Sequence, residues 1–167
     1  LQTGVQDNSW QRDNRNWEPI ITGREDVYPS ILSWIKDQNP NASMHFFYEW
    51  DGLARMFEMS LVDNVYQSDS GEDVFDRAVE SFFADKPEFL FIGIDEPDAA
   101  GHKFGHDTEE YYASISKYDQ KIGDFIARLK TEGLMDETFI MVTGDHGGID
   151  FGHGGTTLHE LEIPIIC

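Results

Sequence analysis

Two Asp/His pairs, each set directly behind an apolar run, are the residues of this chain whose types and spacing could do chemistry. Asp145-His146-Gly147-Gly148 follows Phe139-Ile140-Met141-Val142, and Asp98 with His102 follows Phe89 to Ile94. A strand that ends in such a pair puts a carboxylate and an imidazole at the carboxyl edge of a sheet, where open α/β sheets bind ligands. Oxygen and nitrogen donors of this kind suit zinc, manganese and similar divalent ions. Two pairs together point to a two-metal site for phosphate or sulfate ester chemistry.

Each pair also has a plainer reading as a solvated turn. In Asp95-Glu96-Pro97-Asp98, three acidic groups repel one another unless something cationic sits among them. Pro97 and Gly101 are read as shaping a turn, not a helix, which leaves Asp98 and His102 free to converge on one ion. Asp145 and His146 would face opposite ways on a regular strand but can meet where the strand ends. Gly147-Gly148 leave room for a ligand or a tight turn. His153 lies within Gly152-His153-Gly154-Gly155, with little to pack against, and reads as a metal ligand, a phosphate donor or a mobile loop residue. Thr156-Thr157 offer hydroxyls that are weak candidates for a nucleophile. His106 and His159 read as surface histidines, and His45 as structural.

The elements that must hold these residues alternate. Val27, Ile31, Trp34 and Ile35 recur at helical spacing up to Asn39-Pro40. Met44 to Trp50 reads as a strand, and 51–71 as a surface excursion. Phe75, Ala78, Val79, Phe82 and Phe83 mark a helix ending before Pro87. After the strand 89–94, Asp107 with Glu110 resembles a capping arrangement for a helix over 108–132. That helix carries Tyr111, Ile115, Tyr118, Ile122, Phe125 and Leu129 on one stripe and is closed by Gly133. With a strand at 139–143, this order predicts an α/β fold with a mainly parallel sheet flanked by helices. The strands at 89–94 and 139–143 are expected to be neighbours or near neighbours, joined by helix 108–132.

Composition bounds the rest. A chain of 167 residues with 40% hydrophobic residues can build one sizeable core. A net charge of −20 argues against nucleic acid and anionic membranes as partners. It leaves bound cations to attract an anionic ester. No apolar run has the length of a membrane span. One cysteine excludes an internal disulfide and a Cys-rich zinc site. The opening at Leu1 and the apolar close at Ile163-Pro164-Ile165-Ile166, read as an unfinished strand, suggest a piece of a longer protein.

Ile94-Asp95-Glu96-Pro97-Asp98 … Gly101-His102 … Gly105 resembles the metal motif of type I phosphodiesterases/nucleotide pyrophosphatases of the alkaline phosphatase superfamily. Thr143-Gly144-Asp145-His146-Gly147 is similar to that superfamily's Ser-Asp-His-Gly motif. Glu160 … Ile163-Pro164 resembles a stretch found in several branches. The resemblance is specific over 89–166. It implies an alkaline-phosphatase-like fold, incomplete here, and two divalent ions, zinc, serving a Thr or Ser nucleophile. Asp98 and His102 would hold one ion, and Asp145 and His146 the other. His153 would be the third ligand of the first ion or a substrate contact. Gly4-Val5-Gln6-Asp7-Asn8 looks like the segment after the nucleophile loop, making Asn8 a donor to a phosphate oxygen, although Thr3 stands where a His is usual. The nucleophile is then expected upstream of residue 1, with a further C-terminal part also missing, so residues 1–167 would be part of one catalytic domain, inactive alone. The resemblance implies a small-molecule phosphate ester substrate and a periplasmic or extracellular location. A sulfatase, phosphomutase or phosphoethanolamine transferase is the alternative within the superfamily. A non-catalytic binding module is the alternative outside enzymes.

Overall fold

A computed structural model describes residues 30–167; Asn8 and its segment, and Val27, lie outside the described residues. The chain forms two compact units, the first ending at Ile94 and the second running from Asp95 to Cys167.

The first unit is built around strand β1 (Met44–Tyr48), in which all five residues are buried. It lies between β2 (Asn64–Gln67) and β3 (Phe89–Gly93), parallel to both, with Phe46 opposite Val65 and Phe91. Successive side chains point to opposite faces of a strand, so a strand buried throughout must be covered on both sides. On one face Met44, Phe46 and Tyr48 pack with Leu32 of helix α1 (Ile31–Gln38) and with Phe57. Phe46 stacks on Phe91 at 4.2 Å between ring centres. On the other face Phe47 packs against Val74 and Ala78 of helix α2 (Gly71–Asp85). His45 is buried there with its Nδ1 2.8 Å from the Ser81 hydroxyl, a structural role as expected.

The helix ends follow the local chemistry. The Ser30 and Ser70 hydroxyls accept from the amides of Leu32 and Asp73 at the starts of α1 and α2. Left-handed Lys86 ends α2 just before Pro87. Residues 51–71, expected as a surface excursion, hold two short 3₁₀ turns and the edge strand β2, and Phe57 within them is buried. Every second residue of β2 faces solvent, so its apolar signal is half that of a central strand.

In the second unit, α3 (Asp98–Phe104) replaces the expected turn. Pro97 is its N-cap, a position where the missing amide costs nothing, so the proline does not oppose the helix. The long helix α4 (Glu109–Thr131) starts one residue later than the Asp107 capping reading. Its N-cap is Thr108, whose hydroxyl accepts from the Tyr111 amide and donates to Gly105 O at 2.7 Å. Gly133, at φ 72°, ends it as read. The strand expected over 139–143 is reduced to β4 (Val142–Thr143). It pairs antiparallel with β5 (Ile165–Ile166), while the ladder of β3 is with β1. Phe139 is 79% exposed. Between them, α5 (Leu158–Leu161) is a single turn.

Candidate metal centre

Helix α3 puts Asp98 and His102 on one face because they are four residues apart. His102 Nε2 lies 3.2 Å from Asp98 Oδ2. Gly105, at φ 101°, then turns the chain back, a conformation that costs glycine little. This brings His106 Nε2 to 3.7 Å from Asp98 Oδ1. His153 reaches the same oxygen from its own loop, with Nε2 also at 3.7 Å. One ligand atom each from Asp98, His102 and His153 lie within 4.8 Å of one another, a spacing that could hold one metal ion.

His146 borders this cluster through ring contact, and Asp145 is joined to it only through His146. The His146 ring stacks on His153, with centres 3.7 Å apart and planes 20° apart. His146 Nε2 is 3.7 Å from Asp145 Oδ1, and the Asp145 side chain is 87% exposed.

Backbone carbonyls decide which nitrogen of each ring is free. The tight turn at 149–152 is closed by paired bonds between Ile149 and Gly152 at 2.9 and 3.0 Å. Its Phe151 carbonyl lies 2.9 Å from His102 Nδ1, and its Asp150 carbonyl 3.1 Å from His106 Nδ1. His146 Nδ1 lies 2.9 Å from Gly147 O. A carbonyl oxygen only accepts, so each Nδ1 carries the proton and each neutral ring keeps a lone pair on Nε2. Metal-ligating histidines are oriented by the same kind of second contact. In the neutral rings those lone pairs face carboxylate oxygens, acceptor against acceptor.

Asp98 Oδ1 is buried and receives no hydrogen bond. A buried carboxylate oxygen without a donor carries a penalty unless a cation meets it. Its 3.7 Å separations from two Nε2 atoms exceed a hydrogen bond. They are close to the about 3.3–3.6 Å expected between two ligands each about 2.0–2.1 Å from one zinc ion. The donor set therefore fits a divalent ion. The negative charge is also felt nearby: burial pushes the Tyr111 phenol up, and the Asp98 carboxylate adds to the rise.

Two features were not legible as site residues. His106, read as a surface histidine, has a side chain only 8% exposed. Its ring occupies the space that Gly101 and Gly148 leave open: a Cβ on Gly101 would stand 2.5 Å from its Nε2, and one on Gly148 would overlap the ring. Its position four residues after His102, behind Gly105, was the available signal. Buried Glu160 was quoted only as part of a motif. Its carboxylate accepts from the Gly155 amide at 2.7 Å and from the Thr157 hydroxyl at 2.7 Å, while its carbonyl accepts from Gly147 N–H at 2.9 Å. One residue thus ties the Asp-His-Gly turn to the loop that carries His153. His159 is exposed as read.

The first unit is a parallel α/β sheet covered by helices, and the second carries a carboxylate–imidazole cluster. The chain belongs to the type I phosphodiesterase / nucleotide pyrophosphatase family, whose profile matches residues 2–160. That family consists of hydrolases of the alkaline phosphatase superfamily. Human bis(5'-adenosyl)-triphosphatase ENPP4 is 44% identical over 60 residues, 35% of this chain and 13% of that protein. Mouse ectonucleotide pyrophosphatase/phosphodiesterase family member 7 is 25% identical over 126 residues, 71% of this chain and 29% of its own. The structure of murine ENPP5 superposes with a TM-score of 0.53 at 30% identity, covering 69% of this chain and 32% of that one. An inactive threonine-to-alanine variant of murine ENPP5 in complex with AMP gives 0.52 at 30% identity, over 68% of this chain and 31% of that one. The chain thus spans a third or less of these relatives.

Proposed function

We propose that this chain supplies metal-binding residues to an enzyme that hydrolyses phosphodiester or pyrophosphate bonds of nucleotides. The observation that carries the reading is the buried, unpartnered Asp98 Oδ1, faced by imidazole lone pairs. Asp98, His102 and His153 would hold one divalent ion, zinc, and Asp145 and His146 a second. Bound there, the two ions would polarise the phosphate oxygens and lower the pKa of an attacking hydroxyl. The chain's own residues do the positioning. The carbonyls of Asp150 and Phe151 hold two rings in the tautomer that presents Nε2, and Glu160 holds the His153 loop. Asn8 would donate to a phosphate oxygen.

The nucleophile is a Thr or Ser outside residues 1–167, with the catalytic domain extending beyond both ends. The inactive threonine variant of a relative that this chain covers to 31% supports this. The AMP complex of that relative and the triphosphatase name of ENPP4 favour a nucleotide over a sulfate ester. "Ectonucleotide" in the relatives' names favours an extracellular or periplasmic site of action. Among the described residues no helix is long and apolar enough to cross a membrane.

The test is metal content and turnover measured together. The 167-residue chain should bind zinc without hydrolysing bis-p-nitrophenyl phosphate, and the full-length protein should hydrolyse it until a chelator is added. Asp145→Ala in the full-length protein should lower turnover by orders of magnitude. A chain that binds no zinc would support a non-catalytic module that keeps the fold.

A further inference from the structure

We propose that Asn41 is the acceptor of an N-linked oligosaccharide, added as the chain enters a secretory pathway. The inference rests on the extracellular reading above and concerns a position outside the candidate metal centre. Asn41-Ala42-Ser43 has the acceptor pattern, an asparagine with a hydroxyl residue two positions on and no proline between. Of the six asparagines in the chain, only this one is followed at that distance by a serine or threonine.

The fold presents the side chain to solvent. Asn41 is exposed on the turn between α1 and β1. Among the described residues nothing hydrogen-bonds its side-chain amide. Only its backbone N–H is held, by Asn39 Oδ1 at 3.2 Å. An asparagine kept for its turn would bond the backbone with that side chain, and here Asn39 has that role. Ala42 is buried, and its carbonyl accepts from Lys36 Nζ at 2.6 Å. The backbone beside Asn41 is thus anchored, and a bulky glycan on the exposed amide displaces no packed residue. From this end β1 runs five residues, about 16 Å, toward the carboxyl ends of the strands, where such sheets bind ligands. A glycan on the turn leaves that edge open.

Ser43 sets the order of events. Its N–H donates to Glu88 Oε2 at 2.6 Å, and its carbonyl accepts from the Phe89 N–H at 3.2 Å. Both bonds lock the hydroxyl residue against the start of β3, so transfer precedes the pairing of β1 with β3. In that step the Asn41 side-chain nitrogen attacks the anomeric carbon of a polyprenyl pyrophosphate-linked oligosaccharide. The bond from that carbon to the phosphate oxygen breaks. The lipid pyrophosphate leaves and takes up one amide proton.

The full-length protein is produced in animal cells, once with its own N-terminus and once behind an added secretory leader. Peptide N-glycosidase releases such a glycan and leaves an aspartate. It should raise the mobility of the secreted protein and yield aspartate at position 41 in the peptide mass spectrum. Asn41→Gln and Ser43→Ala should abolish the mobility change, and Ser43→Thr should retain it. Ser43 is tied to Glu88 and Phe89 through its backbone, so its two variants keep those bonds. The folded, unglycosylated 167-residue chain, given the same donor and transferase in vitro, should stay unmodified; modification there would overturn the order of events. A secreted protein whose Asn41 peptide carries no glycan overturns the proposal. Modification behind the added leader with none behind the protein's own N-terminus overturns the extracellular reading instead.

Discussion

Replacing Gly147 with Ala should loosen the whole metal centre without touching any ligand. Gly147 follows His146, and its amide donates to Glu160 O at 2.9 Å. A Cβ at position 147 would overlap the carbonyl oxygen of His159 and stand 3.0 Å from that of Glu162. Both are backbone atoms, so neither can swing away as a side-chain tip would. Restoring a contact of about 3.5 Å to the nearer oxygen requires α5 to retreat by more than about an ångström. Overpacking of this kind costs about 1–3 kcal/mol, and the strained Gly147–Glu160 bond contributes about 1 kcal/mol more. The sum, about 2–4 kcal/mol, is about a thirty- to seven-hundred-fold change in the folding equilibrium. Because Glu160 also holds Gly155 and Thr157, the retreat carries the His153 loop with it. Urea unfolding of the metal-free chain and zinc affinity by chelator competition should therefore both suffer. Gly152→Ala is the control: nothing lies within 4 Å of its Cβ position and its φ is not positive, so it should stay within about 0.5 kcal/mol of wild type. Wild-type unfolding and zinc binding in Gly147→Ala would refute the reasoning.

Asp98→Asn should separate stability from metal binding. An amide at Oδ1's place can donate to an imidazole lone pair, so the metal-free chain should gain about 1 kcal/mol while zinc affinity falls steeply; a lower melting temperature in chelator would count against the acceptor–acceptor geometry. Glu160 gives a pH dependence. Its carboxyl is held below the usual range by hydrogen bonds from the Thr157 hydroxyl and from the Gly155 and Thr157 amides. A depressed folded value means that its stabilisation is present above the unfolded carboxylate range and is lost as pH falls through the folded value. Amide exchange at Gly155 should accelerate over that acid window, and Glu160→Ala should remove the transition. Gly123 lies inside α4 with open space at its Cβ position, so Gly123→Ala should stabilise the chain by about 0.5–1 kcal/mol in urea unfolding.

The sequence by itself determined the elements whose signals are local. The stripe from Tyr111 to Leu129 is periodic along the chain and was legible as α4, its end at Gly133 included. The apolar run Phe89 to Ile94 was legible as a strand of a parallel sheet, although every residue of β3 is half-buried where a buried strand was expected. Residue type and spacing were enough to name Asp98, His102, Asp145, His146 and His153 as candidates, and to point to the family to which the chain belongs. Tertiary structure decided what no local pattern encodes. Edge strand β2 needs β1 to complete its hydrogen bonds, and β4 shrinks to the two residues that face β5. Proline before Asp98 suggested a turn, but a proline at the N-cap leaves a helix intact, and that helix aligns Asp98 with His102. His106 looked like a surface residue because its burial is created by residues from elsewhere in the chain. The Asp150 carbonyl fixes its tautomer, Gly148 leaves space for its ring, and Gly105 turns it toward Asp98. Spacing along a chain can name candidate ligands. Which lone pairs share one carboxylate depends on distances that only the folded backbone sets.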